Sequence, residues 1–363
     1  MPNYSVISAD SHVLEPQDLW LTHMPSAFKD RAPRVERGDD ADYFIVEGLT
    51  PTSMMAMSNA GQSSKELRKT SRYDEVLPGG WDPEARLVDM QRDSVDAEVV
   101  YPSLGMRMQQ LGDLPFLHAC NEAYNDWAAD FAGAKPDRIK AVGLIVADDI
   151  EWAVQEIHRV ADMGLAGIMT PATTLPGKEH YTRHHDPLWA AAEERGLPVS
   201  LHIIAGRRVE FQTDRYWASY ATLPHIIAET ITELIFSGVF ERYPKLRVVS
   251  AEVDASWIAN VMERLDHFYG RYHHSRNEHL PGDLMPSDVF KEHVYATFIR
   301  DRAAVKLLDL IGSDRVMWSS DYPHSDSTWP NSQAVLDDHF KDAPAEHRRK
   351  VSCENAAGLY GFV

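Results

Sequence analysis

The feature that most restricts the fold of this chain is a regular alternation of short apolar runs with longer helical stretches. Eight runs read as strands, at residues 5–9, 97–101, 139–145, 166–170, 199–203, 246–251, 294–298 and 315–319. Most are unbroken apolar segments rather than polar/apolar alternations, which is the pattern of parallel strands covered on both faces. Eight helical stretches separate and follow them, at 83–92, 114–131, 150–162, 187–194, 226–240, 255–268, 302–310 and 332–340. Asp186 stands as a cap before Pro187, and Gly196 stops that helix; Asp301 precedes RAAVKLLDLI, and Gly312 ends it. Eight such units predict an α/β fold, a single (β/α)8 TIM barrel over residues 1–363, with a doubly wound open sheet as the competitor.

Two stretches break the repeat. Residues 23–82, polar and mixed in Gly, Ser and Met, read as an insertion after the first strand. Residues 207–223 read as a second excursion, after the fifth. Long loops at the carboxyl ends of barrel strands build active sites. Both are therefore candidate lids or substrate walls, the first lying over the barrel mouth. A plain surface insertion or an oligomer contact is the alternative for each.

Composition narrows the function. The formal net charge is −19 with no Lys/Arg-rich run, so neither nucleic acid nor an anionic membrane is an expected partner; a small-molecule substrate is. No stretch approaches 18 uninterrupted apolar residues, and MPNYSVISAD has neither the basic nor the apolar region of a secretory leader. The two cysteines, Cys120 and Cys353, have no metal-finger spacing. Two free thiols in a reducing cytoplasm are the expectation.

Four polar positions fall at carboxyl ends of expected strands. Asp10 and His12 stand two apart on an extended segment, so both side chains can converge on one ion. His202 closes strand five and Asp321 follows strand eight. Singly these are bland: Asp and His two apart are common by chance, His202 reads as a core histidine, and Asp321 as a turn cap. Together, two His and two carboxylates on one rim make a mixed N/O set suited to one divalent ion, Zn, Mn or Fe(II). The pairs His184–His185 and His273–His274 read as solvated surface.

Longer segments add a resemblance. They are DPLWAAAEERGLPVSLHI from Asp186, FERYPKLRVVSAEVDASWIANVMERLD from Phe240, YATF from Tyr295 and SSDYPH from Ser319, besides the opening DSH at Asp10. In these the chain resembles the amidohydrolase superfamily. The similar branch holds aminocarboxymuconate semialdehyde decarboxylase and the resorcylate and carboxyvanillate decarboxylases. The resemblance implies a distorted barrel with one metal ion held by Asp10, His12, His202 and Asp321. Asp10 stands where some members have His and others Glu, and Asp321 would also be the proton shuttle. It further implies a homo-oligomer, a dimer or larger.

One position departs from the family. Glu252 stands where many relatives carry a catalytic His after strand six. A carboxylate can act as a base, or bind a metal or an ammonium group, or pair with an arginine. It cannot supply the cationic acid of a protonated imidazole. Nearby, His324 is a further catalytic candidate or a loop-stabilising residue. Arg300 is a candidate partner for a substrate carboxylate, or else pairs with Asp301 or Glu252. Phe298 and Trp329 are candidate pocket walls, with core packing as the alternative. The functional expectation is a metal-dependent decarboxylase of a small aromatic or unsaturated carboxylic acid. Behind it stand a metal-dependent hydrolase of a C–N, C–C or ester bond, and a metal-binding barrel without turnover.

Overall fold

The apolar runs fold into one parallel sheet. The computed structural model describes residues 4–57, 59–67, 72–207, 213–277 and 279–362. Its strands are β1 (Ile7–His12), β2 (Ala97–Tyr101), β3 (Ile139–Leu144), β4 (Gly167–Pro171), β5 (Val199–His202), β6 (Val248–Ala251), β7 (Val294–Phe298) and β8 (Val316–Trp318). Spatial order follows chain order, each strand pairing in parallel with the next. Helices cover the outside, several opened by an aspartate whose side chain accepts a backbone N–H. Asp113 caps the helix at Phe116, Asp149 at Trp152 and Asp301 at Ala304.

The expected barrel is the observed architecture, and the open-sheet alternative fails at the seam. After β8 the chain returns to β1: the Asp321 N–H donates to Asp10 O at 3.1 Å, and the His12 N–H to Tyr322 O at 2.7 Å. The hydroxyls of Ser8, Ser11 and Ser320 link across the same seam, with Ser11 Oγ and Ser320 Oγ 2.9 Å apart. Beneath it lies Arg86, fully buried, from the helix Pro83–Asp93. Its Nη1 donates to His12 O at 2.7 Å, its Nη2 to Tyr322 O at 3.4 Å, and its Nε to Glu98 Oε2 at 2.5 Å. One guanidinium thus holds both edges of the seam and a strand-two carboxylate.

The insertion after β1 is less polar in structure than in composition. It contains a three-stranded antiparallel sheet, Arg34–Arg37, Asp42–Ile45 and Thr52–Ser53. Phe44 and Met54 from it join Trp20, Leu104, Phe116 and Leu117 in a second apolar core beside the barrel. Both cysteines are buried and free, and no described helix is long and apolar enough to cross a membrane.

Four local expectations need correction. β1 runs to His12 rather than stopping at Ala9, because Asp10 and His12 still hydrogen-bond across the seam although their side chains are polar. The second excursion contains helix: Tyr216–Phe236 begins ten residues before position 226 and runs through Pro224, while 208–212 lie outside the described residues. Asp186 does not cap; it is the first helical residue, with its carboxylate paired to Arg183 and Arg242 at 2.8 and 2.6 Å. His185 is buried rather than solvated, since its loop folds back over the strand ends, where His184 Nε2 meets Ala147 O at 2.7 Å.

Arg86→Met should cost about 3–5 kcal/mol, because it strands the buried Glu98 carboxylate as well as opening the seam. Urea unfolding of the variant measures this, and a loss near zero would remove the role given to Arg86.

Candidate metal centre

The strand ends bring six polar side chains into one cluster. Asp10 and His12 come from β1, His202 from the last position of β5, Glu252 follows β6, and Asp321 and His324 follow β8. β1 reaches the cluster through a bulge: Ser8 pairs with Glu98 and Ser11 with Val100, three residues against two. The extra residue bends the strand where Asp10 leaves it, so strict alternation is not what aims the Asp10/His12 pair.

Distances within the cluster are those between neighbouring ligands of one ion. His12 Nε2 lies 3.1 Å from Glu252 Oε2, 3.5 Å from Asp321 Oδ1 and 3.6 Å from Asp10 Oδ1. His202 Nε2 lies 3.2 Å from Glu252 Oε2 and 3.7 Å from Asp10 Oδ1. Metal bonds of about 2.0–2.2 Å place adjacent donor atoms about 3.0–3.6 Å apart. The ring orientations agree: His12 Nδ1 donates to Pro102 O and His202 Nδ1 to Ile203 O, both at 2.9 Å, so each Nε2 faces the centre and offers a lone pair there once its ring is neutral. Asp10 Oδ2 accepts from the Thr297 hydroxyl at 2.9 Å, which itself accepts from the Glu252 N–H, leaving Asp10 Oδ1 turned inward.

The inward atoms are left unsatisfied. Asp10 Oδ1, His202 Nε2 and Asp321 Oδ1 are buried with no hydrogen-bond partner, an arrangement that costs free energy unless something completes it. The donor set therefore fits a divalent cation. The backbone is strained to match: Glu252, Asp254 and Asp321 all adopt left-handed conformations, with φ of 56°, 56° and 58°. Each such non-glycine residue costs about 1–3 kcal/mol.

Titration follows from burial and crowding. Burial pushes the His202 imidazole down, but the Asp10 and Glu252 carboxylates outweigh it and hold the proton affinity well above the ordinary histidine range. Burial raises Asp321 well above the carboxylate range, and the Glu252 charge adds to the effect. His324 is brought down to about 4 by burial, so it is neutral at pH 7. Its Nε2 is 2.8 Å from Ser103 Oγ, which donates to Val13 O, and its Nδ1 is 2.9 Å from Asp321 Oδ1. Its ring stacks on His12 with centroids 3.9 Å apart.

Three expected site residues lie elsewhere. Phe298 is fully buried and turns outward to the helix layer, near the His339 ring. Its neighbour Thr297 points inward instead, so Phe298 packs the core. Trp329 donates from Nε1 to Asp89 O and packs against Tyr322 under the insertion. Arg300 is exposed, donates to Ser327 O at 3.2 Å and borders a surface cavity with Arg302, Val335, Asp338 and His339. Residues that the sequence reading missed are Thr297, which links Asp10 to Glu252, and Ser103, which holds His324. A threonine within the apolar YATF run is the signal that could have found the first.

Comparisons with known proteins agree with this architecture. The amidohydrolase family model matches residues 19–362. The chain is 25% identical over 267 residues to 2-amino-3-carboxymuconate-6-semialdehyde decarboxylase of Dictyostelium discoideum, covering 69% of each protein. A crystal structure of an amidohydrolase from Mycobacterium avium subsp. paratuberculosis K-10 superposes with a TM-score of 0.81 at 23% identity, over 99% of this chain and 100% of the other. That of 5-carboxyvanillate decarboxylase from Novosphingobium aromaticivorans DSM 12444, with manganese and 4-hydroxy-3-methoxy-5-nitrobenzoic acid, superposes with a TM-score of 0.71 at 20% identity, over 99% and 96%. At these identities the structural likeness speaks for the barrel alone. The family match takes in strands β2 to β8 together with His202, Glu252, Asp321 and His324, and on that extent the chain belongs to the amidohydrolase family of enzymes.

Proposed function

We propose that this enzyme is a divalent-metal-dependent decarboxylase of a small aromatic or unsaturated carboxylic acid. The observation that carries the reading is the trio of buried, partnerless atoms, Asp10 Oδ1, His202 Nε2 and Asp321 Oδ1, around His12 Nε2. The relatives' activities set the reaction class: the Dictyostelium and Novosphingobium proteins are both decarboxylases.

Asp10, His12, His202 and Asp321 would hold the ion, with Glu252 Oε2 within the same 4.8 Å cluster as the first three. Three carboxylates beside two imidazoles favour an oxygen-seeking ion, and manganese is the one bound in the Novosphingobium enzyme. Bound there, the ion would polarise a substrate oxygen and stabilise the negative charge that develops beside the reacting carbon. The remaining work falls to the protein. Asp321, 3.5 Å from His12 Nε2 at the same centre, is placed to carry a proton to the carbon bearing the carboxylate. The carbon–carboxylate bond then breaks, its electron pair returns to the unsaturated system, and CO2 departs. One proton is consumed and resupplied from solvent; His324, neutral and facing Asp321 through Nδ1, orients that carboxyl group. Glu252 is kept ionised by His12 and His202 against its burial, so it acts as an anchor or base and not as the acid.

Residues 23–82 would then wall the mouth, since the Ala60 N–H donates to Pro323 O at 3.1 Å, one residue before His324. Buried free thiols suit a cytoplasmic setting, and a homo-oligomer remains part of the reading by analogy with the family.

Candidate aromatic acids incubated with the metal-loaded enzyme in 18O-water test the reaction. CO2 release without label in the product is expected; label incorporation without CO2 would make the enzyme a hydrolase. Asp321→Asn should lower turnover by about 10²- to 10⁴-fold while metal content stays near one ion per chain. Full activity in a metal-replete variant would exclude Asp321 as the acid. Metal loading should also release a proton. His202 is protonated at neutral pH in the metal-free protein because its proton affinity is raised, so affinity for Mn2+ must climb with pH and fall on acidification. Titration calorimetry in buffers of different ionisation enthalpy reads the released proton directly.

A further inference from the structure

A second group of metal-binding side chains lies far from the barrel mouth. The helix Trp257–Arg276 starts soon after Glu252, and its 20 residues carry the chain about 30 Å away. His273 and His274 stand in its last turn, and His279 follows just beyond it. One ring nitrogen of each lies within 4.8 Å of those of the other two. The rings meet directly: centroids are 3.9 Å apart for His273 and His274, 5.6 Å for His273 and His279, and 5.7 Å for His274 and His279. His274 and His279 are exposed, and His273 is half-buried.

The backbone builds this arrangement. Asn277 adopts a left-handed conformation, φ 55°, and its N–H closes the helix onto His274 O at 3.3 Å. The chain then turns back, and Tyr269 fastens it: the Leu280 N–H donates to Tyr269 Oη at 2.6 Å. The same tyrosine orients His273, whose Nδ1 donates to Tyr269 O at 2.7 Å and whose ring stacks on the phenol with centroids 4.7 Å apart. That leaves Nε2 as the free nitrogen of His273. Other clustered histidines spend a nitrogen on a carbonyl, His180 on Pro171 O and His184 on Ala147 O. The side chains of His274 and His279 make no such bond among the described residues and meet only the rings of the cluster.

Three imidazoles make a donor set for a borderline transition ion, unlike the oxygen-rich set at the barrel mouth. The setting favours a cation, because the last carbonyls of a long helix attract one and the net charge of −19 adds to the attraction. Metal–nitrogen bonds of about 2.0–2.1 Å set adjacent nitrogens about 3.3 Å apart. Exposed rings reach that spacing from 4.8 Å by small side-chain rotations.

We propose that His273, His274 and His279 form a second metal site, for zinc or another nitrogen-seeking divalent ion such as nickel or copper. It is independent of the barrel mouth and of the reaction performed there. It also selects differently, passing over manganese, which prefers oxygen donors. Three protein ligands leave the remaining positions to water. An ion held there clips the end of the helix to the returning chain and reinforces the fastening by Tyr269.

Metal analysis after equilibration with zinc or manganese and removal of free ion tests this, comparing wild type with the double variant His274→Gln/His279→Gln. The variant should hold one zinc ion fewer per chain than wild type, and the same manganese. Taking the difference keeps the result apart from the barrel mouth: an empty mouth would lower both zinc totals equally and leave the difference at one. Equal zinc in the two proteins would overturn the proposal, as would a manganese ion lost with the zinc. A second measurement needs no variant. Zinc should shield His274 and His279 of the wild type from carbethoxylation by diethyl pyrocarbonate, and reactivity unchanged by zinc would equally overturn the site.

Discussion

The hydrogen bonds that close the barrel and the residues that form the metal centre are the same few amino acids. Asp10 gives its carbonyl to the Asp321 N–H, and His12 gives its N–H to the Tyr322 carbonyl. First and last strands are thereby locked at the positions where their side chains must converge. Arg86 completes the lock by taking the His12 and Tyr322 carbonyls on one guanidinium, with Glu98 as its counter-charge. Ligand spacing is therefore a property of folding itself: a barrel that closes in this register has Asp10, His12 and Asp321 already within 3.5–3.6 Å of contact through His12 Nε2. Sites held on rigid elements in this way need little reorganisation when a ligand arrives.

The same closure concentrates opposing charge. Asp10, Glu252 and Asp321 are drawn together where water is excluded, and left-handed turns at Glu252 and Asp321 add strain. Protons offset part of the repulsion without an ion, which is why His202 and Asp321 both hold theirs more tightly than usual. A divalent cation offsets it more fully and satisfies the orphaned atoms at once. Metal binding and stability of the barrel mouth are coupled by that exchange.

Much of this was legible in the residues. The eight strands were visible because parallel strands, covered on both faces, leave long apolar runs, and the helix expected at 150–162 has those bounds in the structure. Asp10, His12, His202 and Asp321 stood out because each is polar at the end of such a run. What escaped was local competition. β1 was cut short because Asp10, Ser11 and His12 look like loop residues until the seam supplies their backbone partners. The helix expected from residue 226 begins at Tyr216 and carries Pro224 within it. Phe298 was misplaced because residues 297 and 298 look to opposite faces of β7, and it is Thr297 that meets Asp10.

Charge geography then orders events at the mouth. With the centre free of cation, three carboxylates face an arriving acid, and burial raises the proton affinities of the adjoining Asp254 and Asp326, with the Glu252 charge adding to each. An anionic substrate is repelled there. Two positive charges added at the centre reverse that effect. Binding of a carboxylic acid is therefore conditional on the ion. Glu252 sharpens the dependence: a histidine there would have made the mouth less acidic, whereas a carboxylate makes the metal the one source of positive charge where the reacting end must sit.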